Sequence, residues 1–247
     1  MRTTANIVEI FSSLQGEGVH VGTPMTFVRF GLCSMGCRYC DTPSGVCHEG
    51  ECRVERPPRS QSFEALANPV SVTALCAILE GFDDETVSVT GGEPMEQAGF
   101  LAQLMPALSP RRRIMLETNG VHVRGLEELL PHISVVSMDM KLPSSTGRPP
   151  RWEEHEAFLR AVVGAGREVY VKLVVTEDTS DSDIQRSIGI ITGINRFIPI
   201  VIQPAGSTMT FASAIAEDRL MSLKRLCGAY LEDVRVVPQM HKQWGVL

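Results

Sequence analysis

The sequence predicts an α/β fold in the form of a partial (β/α)6 barrel, a mainly parallel sheet with covering helices. Three observations point to it. Short apolar runs alternate with amphipathic stretches of helical period along most of the 247 residues, and strands joined through helices run parallel. There are six such βα units, fewer than the eight that close a full barrel. The segments rich in Gly, Pro, Asn and Ser follow the strands, so they gather at the C-terminal rim where parallel α/β folds bind ligands.

Taken in order, the first strand candidate is MTFVRF (25–30), followed by a long loop over 31–71 and a helix over 72–81. TVSVT (86–90) precedes a helix over 98–108, and IMLET (114–118) one over 124–131. VVSMDM (135–140) leads to a helix over 153–165, and VYVKLVV (169–175) to one over 181–194. PIVIQ (199–203) precedes a helix over 217–230, and VRVVP (234–238) is the last strand candidate. No convincing repeat, linker or low-complexity tract divides the chain, so one domain over 1–247 is expected. Within it, 1–24 forms an N-terminal segment and 31–71 a loop with an irregular insertion.

The balance of 29 acidic against 23 basic residues, a net charge of -6, argues against a grip on nucleic acid or anionic lipid and favours a small-molecule substrate. MRTTANIVEIF has no basic segment followed by an apolar run, and no stretch approaches the roughly 18 apolar residues of a membrane span. A cytoplasmic protein with no membrane association is expected. Seven cysteines without an export signal argue for reduced thiols. Cys76 and Cys227 lie in apolar stretches of helical period and read as small core residues. Cys47 and Cys52, with His48, match no strong metal-site spacing and read as bystanders.

Cys33, Cys37 and Cys40 are different. Thiolates at this spacing suit zinc or an iron-sulfur cluster. A zinc site would need a fourth ligand from Cys47, His48 or Cys52. A four-iron cubane held by three cysteines would leave one iron open to a substrate or cofactor. The other rim loops are GGEP (91–94), TNG (118–120), KLPSS (141–145) and QPAGS (203–207).

The pattern Cys33-x3-Cys37-x2-Cys40, with Tyr39 before the third cysteine, resembles the signature of radical S-adenosylmethionine (SAM) enzymes. That resemblance implies a 4Fe-4S cluster on Cys33, Cys37 and Cys40, with SAM on the fourth iron, and a partial barrel of the radical SAM type. It also implies SAM contacts from Tyr39, Cys40, Asp41, Gly92 and Glu93, and from Ser137, Asp139, Lys141 and Gln203. Upstream, SLQGEG (13–18) and Arg29 join CDT (40–42), TGGEP (90–94), ETNG (117–120), the segment from Asp139 to Ser144, Gln203-Pro204 and PQMHK (238–242). Together these resemble the 7-carboxy-7-deazaguanine synthase family over almost the whole chain.

This closer resemblance implies a lyase that contracts 6-carboxy-5,6,7,8-tetrahydropterin to 7-carboxy-7-deazaguanine, with loss of ammonia, on the route to queuosine-type nucleosides of transfer RNA. Leu14, Gln15, Gly16, Glu17, Arg29 and Thr90 would bind the pterin, and the Thr42 hydroxyl would hold Mg2+. A flavodoxin or ferredoxin as electron donor and a homodimer are expected on the same ground. The insertion around Cys47 and Cys52 and the terminal QWGVL fall outside the family's pattern. Two other readings fit part of it: a glycyl-radical activase, which shares the cysteine motif, and a non-enzymatic zinc module.

Overall fold

The computed structural model describes residues 3–41, 50–208, 211–212 and 215–246. In chain order these form β1 (Thr4–Ala5), β2 (Ile7–Leu14), β3 (Pro24–Phe30), β4 (Cys52–Glu55), β5 (Phe63–Leu66), β6 (Val70–Ser71) and α1 (Val72–Leu79). Then follow β7 (Thr86–Gly91), α2 (Ala98–Leu108), β8 (Arg113–Thr118), α3 (Leu126–Leu129), β9 (Val135–Asp139), α4 (Pro143–Thr146) and α5 (Trp152–Gly164). The chain closes with β10 (Glu168–Val175), α6 (Asp181–Thr192), β11 (Ile200–Pro204), α7 (Glu217–Gly228), β12 (Val234–Val236) and α8 (Met240–Trp244).

The large sheet has ten strands in the order β12-β11-β10-β9-β8-β7-β3-β2-β4-β5. Every neighbouring pair from β3 to β12 is parallel, and helices cover the outside. Local signals place the helices. Ser71 and Ser180 accept hydrogen bonds from Ala74 N and Asp183 N, capping α1 and α6. Phe100, Leu101, Leu104, Met105 and Leu108 form the apolar stripe by which α2 seats on the sheet.

Strand parity then divides the sheet into two faces. The outward face, with Val28, Phe30, Val87, Val89, Ile114, Leu116, Val136, Val171, Leu173 and Ile202, joins the helices in the main core. Each such side chain contributes about 1.5–3 kcal/mol on burial. The inward face carries a second cluster of Phe11, Met25, Phe27, Met115, Val135, Tyr170 and Val201. Towards the C-terminal end of each strand the inward positions turn polar: Arg29, Ser88 and Thr90, Glu117, Ser137 and Asp139, Lys172, and Gln203. An apolar floor therefore lies beneath a polar bowl at the C-terminal rim.

Two parts of the chain differ from the sequence expectation. MTFVRF is preceded by β2, which pairs antiparallel with β3 and extends the sheet. The segment 52–71, expected as irregular, contributes β4, β5 and the short β6. The buried Glu55 carboxylate ties it down by accepting hydrogen bonds from Ser12 N at 2.9 Å and Gln61 N at 2.8 Å. Cys52 faces the core with 0% exposure, and burial pushes its thiol up to about 11, so it is a packing residue and not a fourth ligand. Cys227 is likewise fully buried, and Cys76 is half-buried against the same core. Among the described residues, no helix is long and apolar enough to cross a membrane.

Candidate active site

A cavity of about 330 Å³ opens at the rim, lined by the cysteine loop, the strand ends, the N-terminal segment and the C-terminal turn. Cys33, Cys37 and Cys40 all line it and are partly accessible. Burial raises the Cys33 and Cys37 thiols above the ordinary value, so thiolate at these sites calls for a cation to replace the proton.

The loop carrying them is clamped from both sides. Gly92 N donates to Phe30 O at 2.8 Å and Glu93 N to Leu32 O at 2.7 Å, with Leu32 held at φ +75°. Ser34 N donates to Glu96 Oε1 at 2.6 Å. On the other flank Arg148 Nε donates to Gly36 O at 2.7 Å, and Arg38 donates to Ser145 O and Ser144 O at 2.8 Å each.

Gly91 has φ +115°, and a Cβ there would lie 2.4 Å from both Phe30 N and Phe30 O. Only glycine allows the TGGEP backbone to pass this close to β3. Gly92 lines the cavity, but Glu93 does not. The Glu93 side chain is fully buried and accepts hydrogen bonds from Thr118 Oγ1 at 2.7 Å, Asn119 N at 2.7 Å and Met95 N at 3.0 Å. Its side-chain oxygens are thereby committed to joining two rim loops, which leaves the backbone of this motif to face the cavity through Gly92.

On the other flank of the bowl, Tyr39 is buried, with Lys141 Nζ 5.7 Å from its ring centroid. Lys141 Nζ donates to Asp139 Oδ2 at 3.0 Å. Asp139 Oδ1 and Gln203 Oε1 are buried and lack a hydrogen-bond partner. A buried acceptor without a donor costs about 1–3 kcal/mol; Gln203 Oε1 is such an atom, and Asp139 Oδ1 has the Lys172 ammonium only at ion-pair distance, 3.7 Å, so both can take a donor. SAM offers an amino group and ribose hydroxyls, and Ser137 also lines the cavity. Three converging thiols, a side-chain-free backbone and two waiting acceptors fit a cluster with SAM beside it.

The opposite wall is built by residues far apart in sequence. Gln15 Nε2 donates to Glu117 Oε1 at 2.9 Å, and Ser88 Oγ donates to the same oxygen at 2.8 Å. Thr90 Oγ1 donates to Glu117 Oε2 at 3.2 Å. Gln15 Oε1 in turn accepts from Glu17 N at 3.0 Å. Leu14 and Gly16 complete this edge of the cavity. A Cβ on Gly16 would lie 2.5 Å from His241 Nδ1, so glycine here lets the C-terminal turn close over the N-terminal segment. Met240 N donates to Gly16 O at 2.9 Å. Arg29 also lines the cavity, with its Nε held by Glu9 Oε1 at 2.9 Å and its guanidinium 5.6 Å from the Phe11 ring centroid.

Lys172 connects the two walls. Its ammonium is buried, donates to Glu17 Oε2 and stands 3.7 Å from Asp139 Oδ1. Burial alone would lower its pKa, but Asp139 and Glu17 outweigh that and hold it well above the ordinary lysine range. Burial likewise favours neutral Glu17, yet Lys172 and the Gln239 amide outweigh it and hold the carboxylate well below its usual range. Gln239 Nε2 donates to Glu17 Oε1 at 2.8 Å and to Asp41 Oδ2 at 2.7 Å. Ligand atoms of Glu17, Asp41 and His241 come within 4.8 Å of one another, a spacing that a divalent cation could bridge.

The structure thus brings sixteen of the eighteen expected site residues to one cavity; Glu93 stands behind it, and Thr42 lies outside the described residues, as do Cys47 and His48. Sequence reasoning missed Glu117, Lys172, Gln239 and His241 as site residues. Inward parity with Met115 and Tyr170 is the signal that could have found Glu117 and Lys172.

A partial parallel barrel with a three-cysteine loop at its C-terminal rim defines a radical SAM enzyme, and residues 27–191 match the radical SAM superfamily. The chain is 38% identical to the 7-carboxy-7-deazaguanine synthase of Geobacter sulfurreducens, over 98% of each chain. It is 35% identical to the enzyme of that name from Methanopyrus kandleri, over 96% of this chain and 92% of the other. The crystal structure of QueE from Escherichia coli shares the fold with a TM-score of 0.66 at 23% identity, covering 97% of this chain and 96% of that one. The chain belongs to the 7-carboxy-7-deazaguanine synthase family of the radical SAM superfamily. Its cofactors are a 4Fe-4S cluster and SAM, which sets aside the zinc-module reading.

Proposed function

We propose that this chain converts 6-carboxy-5,6,7,8-tetrahydropterin to 7-carboxy-7-deazaguanine with release of ammonia, in queuosine-type deazapurine biosynthesis. The observation that carries the reading is the meeting of the 14–17 segment, Glu117 and the three cysteines in one cavity. A cluster held by Cys33, Cys37 and Cys40 with SAM beside it would supply one-electron, hydrogen-abstracting chemistry. The protein's part is to hold both molecules and exclude water.

Cys33, Cys37 and Cys40 hold the cluster. Gly92, Ser137, Asp139, Lys141 and Gln203 receive SAM against Tyr39, Cys40 and Asp41. Gln15, Glu17, Thr90 and Glu117 face the donor-acceptor edge of the pterin, while Leu14 and Gly16 cover it. Arg29, its Nε anchored on Glu9, offers its remaining N–H groups to the substrate carboxylate. The Thr42 hydroxyl would hold Mg2+, as the family resemblance implies; a hard cation of this kind takes few protein oxygens and completes its shell with water and substrate. A flavodoxin or ferredoxin supplies the electron, and the enzyme works in the cytoplasm as a homodimer; these last points follow the family resemblance alone.

Glu117→Ala tests the placement of the substrate. It removes the acceptor that Gln15, Ser88 and Thr90 share but touches neither the cysteines nor the SAM side. The cluster content and the dissociation constant for SAM should stay within about twofold of the parent, while kcat/KM for the carboxypterin falls at least about 100-fold, about 2.7 kcal/mol. A variant with parental kcat/KM would move the pterin away from this wall.

A further inference from the structure

Outside the bowl, a second cavity is lined by Ser34, Met95, Glu96, His122 and Arg124. Glu96 lies in the 3-10 turn Pro94–Gln97, directly after GGEP. Its Oε1 accepts the Ser34 N–H at 2.6 Å, and His122 Nε2 stands 3.6 Å from that same oxygen. Ser34 is the residue after Cys33. One carboxylate therefore both fixes the backbone beside a cluster ligand and places a negative charge there, with an imidazole behind it. Both side chains are largely shielded, at 17% and 33% exposure, so solvent screens their charges less than at an open surface.

Partial burial opposes ionisation of Glu96, but His122 and the Ser34 N–H outweigh it and bring its carboxyl down to about 2. Glu96 is the principal cause of the raised pKa of His122; Glu93 adds to the rise, and Arg151 opposes it. The potential of an iron-sulfur cluster responds to nearby charge and to hydrogen bonds around its ligands. Adding an electron beside a fixed anion is disfavoured, and beside a cation favoured.

We propose that Glu96 is a positioning residue which holds the Cys33 end of the cysteine loop and keeps the cluster's one-electron reduction potential low, with His122 as the opposing charge. The inference rests on the reading that Cys33, Cys37 and Cys40 carry the cluster. Neither Glu96 nor His122 touches the bowl, so they act on the cluster through the loop and through charge.

The test is a mediated redox titration of the anaerobically reconstituted protein, followed by the electron paramagnetic resonance signal of the reduced cluster. Each reduced cluster gains one electron from the mediator. Glu96→Gln keeps an acceptor for Ser34 N and removes the charge; its midpoint should rise, with parental iron and sulfide content. His122→Gln, compared with the parent at a pH where the imidazole carries its proton, should shift the midpoint the opposite way. A rise in Glu96→Gln with a fall in His122→Gln supports the charge pair, because simple loosening of the loop has no reason to change sign between the two variants, and the reversed pair of shifts overturns it. Unmoved midpoints, or shifts in the same direction, overturn it. If Glu96→Gln fails to fold, the sign of the His122→Gln shift decides alone. Cys33→Ala separates the two levels: retention of a full cluster there would overturn the ligand reading itself, whereas cluster loss with unmoved midpoints in the other variants would overturn only the role of Glu96 and His122.

Discussion

Arg29, Thr90, Glu117, Asp139, Lys172 and Gln203 come from six strands, and each reaches the bowl because it occupies an inward position near its strand's C-terminal end. That parity is visible in the sequence once the strands are placed, yet motif reading alone stops short of it. ETNG marks a rim loop without saying that its first residue is the hub for Gln15, Ser88 and Thr90. Lys172 sits inside an apolar run with no motif around it. Its pairing with Glu17, 155 positions away, exists only in three dimensions. His155 lies behind the bowl, fully buried, with Nε2 3.0 Å from Asn119 O. Burial lowers its pKa from 6.5 to about 4. Because the folded value lies below the unfolded one, the unfolded chain binds the extra proton between them. The neutral ring's contribution is therefore present above about pH 6.5 and lost as pH falls towards about 4, a difference of about 3 kcal/mol. Urea unfolding at several pH values should show the parent losing more stability across that window than His155→Gln does. Parallel losses would contradict this account of His155.

Six of the helices, α1, α2, α3, α5, α6 and α7, and the inner strands of the sheet were legible in the sequence because their apolar periodicity serves one continuous core, whereas the short α4 lies in a stretch read as a loop; α2 lies where its spacing places it, at 98–108. What escaped was β2 and the strands of 52–71. IVEIFSSL lacks clean alternation because both faces are covered: Ile7 and Ile10 enter the outer core, while Phe11 stacks on Phe27 inside, with ring centroids 5.1 Å apart. CRVE and FEAL are too short and too charged to announce strands, and they are held by pairing with β2 and with each other. α8 is a different case, since it has no buried residue. It stays in place through Met240 N on Gly16 O, with Gln239 beside it on Glu17 and Asp41. Removing residues 238–247 should therefore leave the thermal midpoint within about 2 °C of the parent, because little apolar surface is exposed. Cluster and SAM binding should persist, while turnover of the carboxypterin should fall at least about tenfold. Full turnover in the truncated protein would show that the C-terminal turn is not part of the substrate wall.

At the scale of the molecule, the two layers of the sheet assign separate tasks to separate faces. The outer core fixes the strands, the inner apolar floor sets the depth of the bowl, and the rim loops carry the chemistry. Loops can specialise there without disturbing the core, which is why the rim motifs carried most of the functional reading. The chain's net charge is -6, so an anionic substrate depends on the local cations that line the bowl, Arg29, Lys141 and Lys172. The most direct measurement is a single anaerobic reaction of the reconstituted protein with SAM, dithionite, Mg2+ and 6-carboxy-5,6,7,8-tetrahydropterin, followed by mass spectrometry and ammonia determination. The account predicts 7-carboxy-7-deazaguanine and ammonia in equal amounts, and a brown cluster-bearing protein. Cleavage of SAM to 5'-deoxyadenosine and methionine with no deazapurine formed would contradict it.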